Sequence, residues 1–154
     1  MATRKVELIA NDFADQLFRP HGEYAAQLIG NVIWGQAAGP FNLEVVNAYR
    51  QLAKPLFTEA GTHGRFGTLT EFRKSTLMSI ETLELFAETM AQIVRENPAF
   101  VCSAFVAGTD VEGRDLMASL FDQKVYRPMG FPHQMFDNRD AALAWLNSTI
   151  AGAA

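Results

Sequence analysis

The stretch NPAFVCSAFVAGTD, residues 97–110, decides how this chain folds. Between Pro98 and Gly108 it is almost continuously apolar and rich in β-friendly side chains, yet too short for an ordinary helix. Such a segment reads as a central strand buried on both faces. Helical patterns flank it. Upstream, Leu83, Phe86, Ala87, Met90, Ile93 and Val94 recur at three- and four-residue steps, with Ser79 able to cap and Asn97-Pro98 to close. Downstream, Thr109 and Glu112 match a capping box, and Leu116, Met117, Leu120 and Phe121 would form the buried face of the next helix. A buried strand between two helices requires crossover connections, and these produce a mainly parallel sheet.

Working towards the N-terminus, RFGTLTEF (65–72) alternates Phe66, Thr68 and Thr70 against Gly67, Leu69 and Glu71, as a strand does. Before it, Asn42 can cap a helix carrying Val45, Tyr49, Leu52 and Leu56, with Val46, Ala53 and Phe57 beside them and Gly61 as its stop. Pro55 lies inside that pattern and is expected to bend the last turn or to start a new one. EYAAQLIGNVIWGQAAG (23–39) is a hairpin signal: Gly30-Asn31 separates two apolar runs, and a type II′ turn needs positive φ at its first central residue. The strands are expected over Tyr24–Ile29 and Val32–Ala37. Val6, Ile9, Phe13 and Leu17 suit either a short amphipathic helix or an extended arm, ended by Arg19-Pro20-His21-Gly22.

Towards the C-terminus, Pro132 confines FPHQMF (131–136) to an edge strand or a strand start. Asp137 or Asn138 then caps a final helix, whose Ala142, Leu143, Trp145, Leu146 and Ile150 press onto the sheet. The expectation is one α/β domain over residues 22–154, preceded by an arm or short helix over 1–21. Its mixed, mostly parallel sheet has about five strands, an N-terminal β-hairpin and about four helices.

The 154 residues, 49% apolar and 19% charged, suit one compact domain. A net charge of −4 and the lack of any run of four basic residues argue against nucleic acid as a partner. No apolar run approaches the roughly 18 residues of a membrane span, so no integral membrane segment is expected. Acids interrupt the apolar positions near the N-terminus, unlike a secretory leader. The single Cys102 can neither form an internal disulfide nor hold zinc alone, and the expected compartment is the reducing cytoplasm.

Reactive constellations are sparse. His21, His63 and His133 stand apart and read as separate loop or surface histidines. Cys102 lies in the most apolar strand, where burial raises a thiol's pKa and makes it inert. GTHGRFG (61–67) lacks the spacing and the Lys-Ser/Thr of a phosphate loop. Asp110, Glu112 and Asp115 read as helix-capping acids. No catalytic residue, cofactor ligand or metal ligand is expected. Two places remain as candidate sites. Ser75, Thr76 and Ser79 sit where a parallel strand meets a helix, with Arg73 and Lys74 nearby, and form a candidate phospho-switch or ligand junction. The bland alternative is that Ser79 only caps. The loop holding Tyr126, Arg127, Met129 and Phe131 either packs on the sheet edge or presents a partner surface. Twelve Phe and six Met suit an apolar pocket as well as a core.

GEYAAQLIGNVIWGQAAGPFNLEVVNAYRQL (22–52) resembles the start of SpoIIAA-like proteins of the STAS-like superfamily, where a hairpin with a Gly-Asn turn leads through Phe-Asn into the first helix. MFDNRDAALAWL (135–146) resembles their closing helix, and the likeness covers roughly residues 22–150. The resemblance implies a small α/β domain that is not an enzyme. It implies a bacterial regulatory or protein-interaction module that binds a protein partner and forms a homodimer. In the best-understood relatives, phosphorylation of a serine at the start of the second helix switches binding. Ser79 is the nearest positional match, although Met78 stands where the family has an acid. The alternative is a domain for small apolar, lipid-like ligands. The third is a small enzyme using a hydroxyl or carboxylate near Ser75–Ser79.

Overall fold

The structure is a computed structural model that describes residues 6–9 and 22–153. Six strands form one sheet, β1 (Val6–Ile9), β2 (Glu23–Ile29), β3 (Val32–Ala38), β4 (Phe66–Arg73), β5 (Phe100–Val106) and β6 (His133–Phe136), and their order across the sheet is their order in the chain. β1–β2 and β2–β3 pair antiparallel. The other three pairs, β3–β4, β4–β5 and β5–β6, are parallel. Gly30 turns the hairpin at φ 61°, the positive value that a type II′ corner demands. The sixth strand is β1. Over residues 6–9 the arm is extended rather than helical, and Leu8 lies opposite Ala26. The rest of the expected arm or helix, to residue 21, lies outside the described residues.

The helices are α1 (Leu43–Gly61), α2 (Ile80–Glu96), α3 (Arg114–Leu120) and α4 (Arg139–Gly152). Because strands 3 to 6 advance steadily in one direction, right-handed crossovers carry the connecting helices onto the same face of the sheet. There the side chains of α1, α2 and the segment after α3 join Ala26, Leu28, Ile33, Phe66, Phe72 and Phe105 in one core. α4 follows the last strand, is not a crossover, and closes the opposite face over Val32, Leu69, Cys102, Ala104 and Val106. Strand alternation sorts these two sets. β5 is buried along almost its whole length, as a strand covered on both faces must be.

Capping is mostly as the sequence suggests. The Asn42 and Ser79 side chains each accept an N–H, from Val45 and Thr82, at 3.1 Å. Of the two candidates for α4, Asn138 caps, accepting from Ala141 at 2.9 Å. α1 runs unbroken through Pro55. Two expectations change. Residues 109–113 form a loop, not a capped helical turn, and α3 begins only at Arg114, so Asp115 alone of the three acids lies in its first turn. Glu112 is held elsewhere: its N–H donates to the Lys74 carbonyl, its carbonyl accepts from Thr76, and its carboxylate accepts the Ser75 hydroxyl. On α4, Ala142 and Leu146 are fully buried, whereas Trp145 is half-buried and leans on Phe136 with ring centroids 5.8 Å apart.

Candidate functional site: an aromatic cavity under the crossover helices

The C-terminal ends of the parallel strands are sewn shut. Gly39 donates its N–H to Ser75 at 3.0 Å, Phe41 donates to Leu77 at 2.8 Å, and Thr76 donates to Glu112 at 2.8 Å, so three βα connections share one main-chain network. The Ser75 and Thr76 hydroxyls are buried in it, donating to the carboxylate and the carbonyl of Glu112 at 2.9 Å. Ser79 stands apart, exposed at the head of α2. The strand order has no reversal, and so no crevice of the kind that α/β sheets use for ligands.

An apolar space lies deeper. A half-open cavity of about 70 Å³ lies between the sheet and the crossover helices. Tyr24, Ala37, Thr68, Thr70, Phe72 and Phe105 form its sheet floor. Val45, Val46 and Tyr49 of α1 and Phe86 and Met90 of α2 form its roof. Phe41 and Met78, from the two connections joined by a β-bridge, lie at one end. Phe121 and Tyr126 form the far wall. They bracket a π-helical turn, Phe121–Tyr126, in which the wider i→i+5 spacing brings both rings to one side. Such turns are enriched at functional sites. Gly35 makes room for Tyr24, because a Cβ there would come within 2.5 Å of the phenol oxygen.

The cavity is aromatic but not without polarity. Tyr126 hydrogen-bonds Ser103, whose hydroxyl lies 2.8 Å from that of Thr68. Tyr24 hydrogen-bonds Thr70 and meets Tyr49 edge to face at 5.0 Å. The Tyr49 hydroxyl donates to the Met90 thioether at 3.8 Å, a weak acceptor. Burial pushes all three phenols upward, so they serve as neutral hydroxyls. Among the described residues no charged side chain lines the space.

The π-turn is pinned from outside. Asp122 receives Arg127 and, at 2.9 Å, Nε2 of His133, whose Nδ1 lies 2.8 Å from the Phe131 carbonyl. The imidazole stacks on Tyr126 at 5.0 Å. Hydrogen bonding from Arg127, then its charge and His133, hold the Asp122 carboxyl below the usual carboxylate range. In this loop Tyr126 and Phe131 are buried, Arg127 is exposed and Met129 is half-buried against the core. The packing alternative therefore describes the two aromatic residues.

Sequence reasoning pointed to surplus Phe and Met but not to Tyr24, Tyr49 and Tyr126 as convergent hydroxyls. The local traces were Tyr49 in the buried stripe of α1 and Tyr126 in the aromatic loop after the third helix. Among the described residues no group of three or more His, Cys, Asp or Glu is placed to hold a metal ion. No described helix is long and apolar enough to cross a membrane. The chain matches no protein-family model, no curated protein and no solved structure.

Proposed function

We propose that this chain is a non-catalytic binding domain whose ligand is a small apolar molecule seated in the aromatic cavity. The observation that carries this reading is the space of about 70 Å³ walled by aromatic and thioether side chains, with a few hydroxyls turned inward. Ligand pockets are built in this way, apolar with sparse polar anchors. A regulatory role fits the construction, because the roof is made of α1 and α2 and the wall of a pinned π-turn. A ligand that spreads these elements alters the surface that a protein partner meets. The antiparallel hairpin ahead of the parallel strands supports kinship with SpoIIAA-like bacterial proteins and, with it, a homodimer. The sole buried thiol suits a cytoplasmic setting.

The test is native mass spectrometry of gently purified protein, with thermal shifts against a panel of compact apolar compounds. Expected are a co-purified small molecule or concentration-dependent stabilisation, and loss of both in Val46→Phe, which fills the roof. No co-purified mass and no shift with any compound would overturn the reading.

A second reading, protein recognition switched at Ser79, is favoured by a separate observation. Ser79 and Ile80 are both exposed at the head of α2, Ile80 by 74%, so a modifying enzyme or a partner has access. Phosphate there would sit at a helix N-terminus, where its charge is stabilised. A Ser79→Asp protein that changes its captured partners without changing its melting temperature would support it. Identical capture by both proteins would dismiss it.

A further inference from the structure

We infer that the cavity selects an uncharged ligand carrying one hydrogen-bond acceptor, such as a ketone or ester carbonyl, and that Tyr49 reads that acceptor by exchanging Met90 for it. The inference rests on the cavity being a ligand site and adds the chemical class of the ligand.

Three observations lead to it. First, none of the described lining side chains is charged, so among them an ionic ligand would lose its hydration without gaining a counter-ion. Second, the hydroxyls are not equivalent. Tyr24 and Tyr126 already have oxygen partners in Thr70 and Ser103, while Tyr49 reaches only a sulfur, at 3.8 Å. A phenol in an apolar surround with a thioether as its acceptor is the one polar group there that gains from a better partner. Third, the space of about 70 Å³ is smaller than the ~150 Å³ cavity known to admit benzene, so a ring-sized guest seated wholly inside must displace something. Met90 is the pliable element: unbranched, on the roof, and already the Tyr49 partner. When its thioether swings away, room is made and the phenol O–H is released in one movement. A carbonyl oxygen then takes the place of Sδ. A hydrocarbon of the same shape would strand the hydroxyl.

The test uses two probes of nearly equal shape, cyclopentanone and methylenecyclopentane, titrated by NMR into the full chain, Tyr49→Phe, Met90→Leu and Val46→Phe. Tyr49→Phe removes only the hydroxyl, and its melting temperature is followed in parallel. Expected is binding of both probes to the unaltered chain and of neither to Val46→Phe. The affinity ratio in favour of the ketone should fall about two- to tenfold in Tyr49→Phe, the size of one hydrogen bond. In Met90→Leu, which removes the competing sulfur, that ratio should be retained or increased. If both probes bind and the ratio is the same in Tyr49→Phe, the acceptor rule fails while the cavity stands as a site. If neither probe binds the unaltered chain, or both still bind Val46→Phe, the cavity reading and this inference fall together.

Discussion

At the scale of single residues, two tightly constrained positions do no chemistry. Cys102 is wholly buried in β5, and burial pushes its thiol up to about 12. The folded protein is therefore expected to resist a thiol reagent such as DTNB at neutral pH, with modification following the unfolding rate. Rapid labelling under native conditions would contradict this. Its inertness was legible, because the cysteine stands inside an uninterrupted apolar run. Gly35 is the opposite case. Its missing Cβ admits Tyr24, and Gly35→Ala would drive the phenol away from Thr70. The expected cost is about 1–3 kcal/mol in urea unfolding, together with weaker ligand binding. Nothing local announces that role. Tyr24 lies eleven residues earlier in the chain and meets Gly35 diagonally across the hairpin, where Ala26 is the direct partner.

At the scale of elements, α4 and the π-turn separate what periodicity can tell from what it cannot. The apolar stripe of α4 was visible, but a stripe does not say which member goes deepest. Leu146→Ala should cost about 2–5 kcal/mol, and the half-buried Trp145→Ala only about 1–2 kcal/mol. An inverted order in denaturant unfolding would show the helix to be rotated. Ser79→Ala should cost about 1 kcal/mol, the value of one cap. Both α3 and the segment after it were misread. A 3.6-residue period made Leu116 part of the buried face, yet Leu116 is 59% exposed, while Val125 and Tyr126, beyond the expected helix, are buried. The π-turn adds a residue to the coil and rotates everything after it. Its external pin has a pH dependence of definite sign. The Asp122 carboxyl is lowered, so its contribution is complete above the ordinary carboxylate range and is lost as pH falls through the lowered value. Amide exchange over Phe121–Tyr126 should accelerate, relative to its intrinsic rate, on acidification. Asp122→Asn should show that acceleration at neutral pH already.

At the scale of the whole molecule, the α/β class and the order of its elements were legible, because each strand and helix carries its own pattern and the crossover rule arranges them. The cavity was not. Its walls come from the hairpin, two later strands, two helices, two connections and a π-turn, and only the tertiary fold makes neighbours of Tyr24, Tyr49 and Tyr126. The agreement between spatial and sequential strand order has a kinetic consequence. Each new hydrogen-bonded edge is built beside the one just completed, so no segment has to be inserted between two partners already joined, and the topology imposes no threading step. Refolding followed by Trp34 and Trp145 emission should accordingly reach the native signal without a populated, strand-exchanged trap. The rate should be set by the closure of the successive crossover connections, whose parallel registers join residues far apart in the chain, as in Val32 with Gly67 and Gly67 with Cys102.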